Sequence, residues 1–168
     1  FQWNPAGLAQ LKYPELTLLH LAYFADIYDE CVGFGTPSRG QGLGLGLTWL
    51  NVAAFNSTLD PSAVKGSASD YALSGAYALN LSKELQIGGV VRTILSNLAS
   101  NASFGGSVDA GALFTPFGRN LSLAVVAQNL GIQTAYETQS DPLPITLRFG
   151  AAFHLYRAND ERWLNVVL

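Results

Sequence analysis

The stretch Ser69-Asp70-Tyr71-Ala72-Leu73-Ser74-Gly75-Ala76-Tyr77-Ala78-Leu79-Asn80-Leu81 decides the fold. Read at every second residue, one side is Tyr71, Leu73, Gly75, Tyr77, Leu79 and Leu81, and the other is Asp70, Ala72, Ser74, Ala76, Ala78 and Asn80. Strict alternation is the signature of a β-strand with two unlike faces. The less apolar face is the informative one. A soluble sandwich turns Lys and Glu outward there, whereas this face is Ala, Ser and Asn. Small and polar residues suit the crowded interior of a membrane β-barrel, whose apolar face then meets lipid.

The pattern recurs. From 85 to 96, Leu85, Ile87, Val91 and Leu95 alternate with Gln86, Gly88, Arg92 and Ser96. From 106 to 115, Val108, Ala110, Ala112 and Phe114 alternate with Ser107, Asp109, Gly111 and Leu113. From 144 to 156, Leu147, Phe149, Ala151 and Phe153 alternate with Thr146, Arg148, Gly150, Ala152 and His154. The segment 42–50 sets Leu43, Leu45, Leu47 and Trp49 against Gly42, Gly44, Gly46 and Thr48. Nine strands are expected, near 16–23, 27–35, 42–55, 69–81, 85–96, 106–115, 121–130, 144–156 and 162–168. Several run to 10 residues or more, the span of a tilted membrane strand rather than the about 5–6 of a soluble one. Short gaps at 36–41, 82–84, 116–120 and 157–161 carry turn residues such as Pro37, Gly40, Pro116 and Asn159. Longer ones are expected at 56–68, 97–105 and 131–143, with 24–26 a short exception. Tight periplasmic turns alternating with longer extracellular loops give this spacing.

Composition agrees. Of 168 residues, 49% are apolar and only 12% charged, about half the usual charged share. Disorder is excluded by that hydrophobicity. A net charge of −3 offers no basic footprint for nucleic acid. One cysteine, Cys31, allows neither an internal disulfide nor a Cys-based zinc site. No run approaches the about 20 apolar residues of a helical span, which leaves a closed barrel as the route through a bilayer. The sequence opens without a secretory signal pattern and ends inside an apolar run, Val166-Val167-Leu168. With an odd strand number, a barrel continuing past residue 168 is expected, the domain being incomplete at its C-terminus.

Candidate chemistry is sparse. Gly40-Gln41-Gly42-Leu43-Gly44-Leu45-Gly46 fails the dinucleotide spacing and is followed by no P-loop lysine. Glycine at every second position reads instead as a strand whose inner face must be thin. His20 and His154 have no metal-ligand partner at useful spacing, and no Gly-x-Ser-x-Gly elbow is present. An embedded hydrolase would need one of them beside a serine. No catalysis, cofactor or metal is expected. Cys31 reads as a small buried hydrophobe. The lumen-facing candidates are Asp70, Arg92, Asp109, Arg148 and His154, because an Arg facing mid-depth lipid costs about 2–4 kcal/mol. They brace the wall as Asp–Arg pairs or form a selective constriction. Trp3, Trp49, Trp163, Tyr13, Tyr23 and Tyr136 lie near strand ends, as interfacial girdles do. The rival from another class is a soluble lipocalin-like barrel, which would turn the apolar face inward around a small apolar ligand.

Four stretches resemble one family. These are Asn4-Pro5-Ala6-Gly7-Leu8-Ala9, Phe24-Ala25-Asp26, Asp109-Ala110-Gly111-Ala112-Leu113-Phe114-Thr115-Pro116 with Gln128-Asn129-Leu130-Gly131, and Pro142-Leu143-Pro144-Ile145-Thr146-Leu147-Arg148-Phe149-Gly150. In order and spacing they are similar to the PorV/PorQ-type outer-membrane proteins, a branch of the FadL-like barrels. The resemblance implies a barrel of about 14 strands in a bacterial outer membrane. Residues 1–15, around Asn4 and Pro5, would form a hatch in its lumen. It further implies transport of hydrophobic compounds or a part in the type IX secretion system. The partners would be outer-membrane lipid and a hydrophobic small molecule or a secreted protein. Loop 56–68, with Asp60-Pro61-Ser62, and loop 131–143 would face that partner.

Overall fold

The computed structural model describes residues 1–24, 26–55, 66–98, 101–116, 120–134, 142–156 and 162–167. Among them, nine strands form one antiparallel sheet in sequential order: β1 (Glu15–Tyr23), β2 (Ile27–Ser38), β3 (Gln41–Phe55), β4 (Gly66–Asn80), β5 (Leu85–Leu98), β6 (Asn101–Phe114), β7 (Leu121–Gln133), β8 (Thr146–Tyr156) and β9 (Arg162–Val167). A short 3-10 helix, Pro5–Gln10, precedes them. The sheet curls into a half-barrel. The opening residues lie on its concave side, and their contacts reach every strand from β2 to β8.

Alternation places the side chains as expected, and the buried face is the small one. Gly42, Gly44 and Gly46 of β3 are buried while Leu43, Leu45 and Leu47 are exposed. On β4, Ser74, Ala76 and Ala78 are buried between exposed Leu73, Gly75 and Tyr77. Leu45 is 64% exposed, Val91 63% and Phe149 74%. The hydrophobic core is correspondingly slight: Leu8 of the helix against Ala76, Ala78 and Val90, with Phe1, Ala9 and Leu11 at its margin. No described helix is long and apolar enough to cross a membrane, which leaves strands untouched as a route.

Register defines the height of the apolar face. Trp49, Tyr71, Leu95 and Phe104 pair in one row across β3 to β6. The next outward-facing row is Asn51, Ser69 and Asn97, where polarity returns. On β5 the outward face is apolar or small from Leu85 to Leu95 apart from Thr93. At about 3.3 Å per residue and a tilt of about 40°, that run covers about 25 Å of depth.

Three local features differ from the sequence expectation. The β2–β3 link is tighter than 36–41, because Arg39 and Gly40 both take positive φ (47° and 81°) and make a two-residue turn that follows the twist of the strands. The long link expected at 97–105 is absent: β5 runs to Leu98 and β6 starts at Asn101, paired with each other at both ends. Finally, β7 continues to Gln133 through a bulge, where pairing shifts from Ala110↔Ala127 to Val108↔Leu130. Asn129, at φ 61°, is the inserted residue, and Asn tolerates that left-handed geometry better than most. Asp60-Pro61-Ser62 and 135–141 lie outside the described residues, as do the side chains of Trp163 and His154 and all of Tyr136.

Candidate functional site

The site grows from the glycines of the inner face. Leu8 sits where β2 and β3 expose bare backbone, so that a Cβ on Gly42 would overlap the Leu8 main chain. A Cβ on Gly88 of β5 would lie 2.5 Å from the Pro5 carbonyl carbon and 2.6 Å from the Ala6 nitrogen. One on Gly111 of β6 would overlap the Asn4 carboxamide. The alternating glycines thus thin the wall where the opening segment packs.

Asn4 and Pro5 start that segment in a defined way. The Asn4 side chain accepts from the Ala6 N–H at 3.0 Å, capping the 3-10 helix, and donates to the Ala112 carbonyl of β6 at 3.2 Å. Pro5 follows at the first helical position, where its missing N–H costs nothing. Further along, Asn80 donates to the Ala9 carbonyl at 3.3 Å. Nearer the start, Gln128 of β7 donates to the Gln2 carbonyl at 3.0 Å.

Beside Phe1, Gln2 and Trp3 the concave face carries an open cavity of about 630 Å³. Asp29 and Cys31 of β2, Arg92 of β5, Gln128 and Asn129 of β7, and Arg148 of β8 contribute to its lining. Two of the expected charges meet. The Arg92 Nη2 donates to Asp109 Oδ2 at 2.9 Å, with side chains 15% and 1% exposed. Arg92 Nη1 also donates to Asn129 Oδ1 at 3.1 Å, and its Nε reaches Ser74 at 3.4 Å. The other Asp109 oxygen accepts the Asn129 N–H at 2.8 Å. That pair therefore satisfies the bulge as well as itself, and Asn129 passes the connection to the Pro144 carbonyl at 3.0 Å.

Of the remaining candidates, Arg148 and Asp70 are not drawn into this network. Arg148 lines the cavity with its guanidinium over the Trp3 ring, 5.0 Å from the ring centre. Asp70 is exposed on β4, opposite Leu50 and Ser96. The backbone of His154 pairs with Asn165. His20 Nδ1 donates to the Glu30 carboxylate at 2.6 Å on the outward face, and its ring stacks with Tyr28. No cluster able to hold a metal occurs among the described residues. Cys31 is buried, with the Gln2 amide 3.2 Å from its sulfur.

Sequence reasoning missed Asp29, Gln2, Gln128 and Asn129, and it gave Trp3 to an interfacial girdle when the ring lies in the cavity. One signal was available. The apolar positions of β7 are odd at Leu121, Leu123 and Val125 but even at Leu130 and Ile132, a parity change that only an inserted residue produces. No protein-family model matches the chain, and no curated protein matches it significantly.

Proposed function

We propose that the chain belongs to an outer-membrane β-barrel of the PorV/PorQ type, among the FadL-like barrels, and serves passage across that membrane. Its cargo is a hydrophobic compound, or its task is a step of type IX secretion. The observation that carries the reading is the inverted polarity of the sheet. Large apolar side chains cover the exposed convex face over about 25 Å, with Trp49, Tyr71 and Phe104 at one margin. Small and polar ones line the concave side. In water that arrangement exposes a patch far larger than a monomer ordinarily carries. In lipid it is the expected one.

The opening segment acts as the hatch, held in the lumen by the glycine cradle. The cavity beside Trp3 favours the transport form over the secretion form, since it offers room for a solute. Closure of the half-barrel takes further strands, about 14 in all on the family resemblance. A soluble lipocalin-like binder needs its apolar face inward, and the outward placement of Leu45, Val91 and Phe149 argues against it. The barrel works without chemistry of its own.

The test is electrophoretic mobility of the full-length protein after refolding in detergent, with and without boiling. A faster unboiled band is expected from a closed, detergent-stable barrel. A chain that stays monomeric and folded in plain buffer would overturn the membrane reading.

A further inference from the structure

Two charges in the cavity lack an ionic partner among the described residues. Asp29 on β2 and Arg148 on β8 both line it, while Arg92, the other guanidinium there, is neutralised by Asp109. The two stand on opposite sides of the concave face, with the opening residues between them. Arg148 lies over the Trp3 ring, and Gln2, the residue beside Trp3, reaches Cys31 at 3.2 Å and Thr48 at 3.4 Å on the far side. Asp29 stands two residues beyond Cys31 on the same face of β2, which alone adds about 6.6 Å. The charges are therefore on the order of 10 Å apart or more.

From this placement we infer that the cavity binds a short apolar peptide with both termini free. The inference rests on the transport reading above and narrows its cargo. Arg148 carries five N–H donors, and with its guanidinium over the Trp3 ring they remain to grip a carboxylate. Asp29 accepts from an ammonium group at the other end. A single amino acid carries its charges too close together to reach both. Three residues, at about 3.5 Å each, reach that far. Gln2, Thr48 and Gln128 offer amides and a hydroxyl along the way for peptide groups, and Phe1, Trp3 and Leu19 offer apolar surface for side chains. A volume of about 630 Å³ falls within the ordinary range of small-molecule sites. A ligand with an anionic head alone would leave the Asp29 carboxylate facing its apolar tail.

The experiment is calorimetric titration of the detergent-folded protein with trileucine, its N-acetyl form, its C-terminal amide and the doubly blocked form. Trileucine is expected to bind about tenfold tighter than either singly blocked peptide, the scale of one charge-assisted hydrogen bond. Asp29→Asn should erase the preference for a free amine and keep the preference for a free carboxylate. Arg148→Gln should do the reverse. Equal binding of all four peptides, or a variant that weakens all four alike, would overturn the inference. So would no binding by a protein that still shows the faster unboiled band, which leaves the barrel reading intact. Loss of that band in the unmutated protein overturns the barrel reading itself, and the inference with it.

Discussion

Leu73→Arg separates a lipid-facing wall from a water-facing one. Leu73 lies inside the apolar band, one row in from the Trp49–Tyr71–Leu95 margin, opposite Leu47 on β3 and Thr93 on β5, and is 60% exposed. On a soluble protein, replacing so exposed a leucine with arginine changes stability by no more than about 0.5 kcal/mol and improves solubility. On a barrel wall the guanidinium enters hydrocarbon about 5 Å inside the Tyr71 margin, at a cost of about 1–3 kcal/mol, between the mid-depth and the interfacial values. Ser67→Arg is the internal control. Ser67 is exposed on the same strand, six residues nearer the rim, about 20 Å along the chain and about 15 Å in depth at a tilt of about 40°. There the charge reaches headgroups and water, and the cost falls to about 0–1 kcal/mol. The assay is denaturant unfolding of the protein folded into lipid vesicles, with both variants compared to the parent. Equal costs for the two positions, or a Leu73→Arg protein that is more soluble and equally stable in buffer, would refute the reasoning.

Three further outcomes follow from the concave side. Gly88→Val drives a side chain into the backbone of Pro5 and Ala6 and should expel the opening segment, read as faster proteolysis within residues 1–15. Gly75→Ala, with no atom within 4 Å of the added methyl, should leave that rate unchanged. Asp109→Ala strands the Arg92 guanidinium and the Asn129 N–H, and should lower unfolding free energy by about 3 kcal/mol, measured by denaturant titration. Arg92→Met with Asp109→Leu should recover most of that loss. Asn129→Val places a β-branched residue at positive φ and removes the Arg92 and Pro144 contacts. It should cost about 2 kcal/mol and speed hydrogen exchange in β7 beyond the bulge more than before it.

How much of this was legible in the sequence depends on periodicity. Every strand was foreseen because the alternation of Leu43 to Trp49, Tyr71 to Leu79 and Leu85 to Leu95 is a local property with a fixed period. The direction of the faces was legible too, since Gly, Ala and Ser opposite Leu and Tyr leave little choice. Strand ends were not, because Ala102 and Ser103 are weak formers that β6 recruits only through pairing with Asn97 and Ser96. The Arg92–Asp109 contact was half legible: the two residues share a face, but their meeting needs the register of β5 on β6. Asn129 joins them through the bulge, and Trp3 meets Arg148 only through the curl of the sheet. Neither distance has a counterpart in sequence spacing.

The glycines tie these levels together. Gly42, Gly88 and Gly111 each weaken the strand that carries them, by about 0.5–1 kcal/mol relative to alanine, and no turn demands them there. Their occurrence on three different strands, all on the inner face and all against residues 4–8, has one physical account. The wall is kept bare so that the opening segment can lie flat on it. Were the segment an incidental terminus, alanine at these positions would give a stronger sheet at no loss. Substituting alanine at all three should therefore strengthen the strands only in a chain that lacks residues 1–11, and should destabilise the chain that keeps them. Denaturant unfolding of the four proteins in one detergent decides it: if the substitutions act alike with and without the segment, the cradle has no part in holding it.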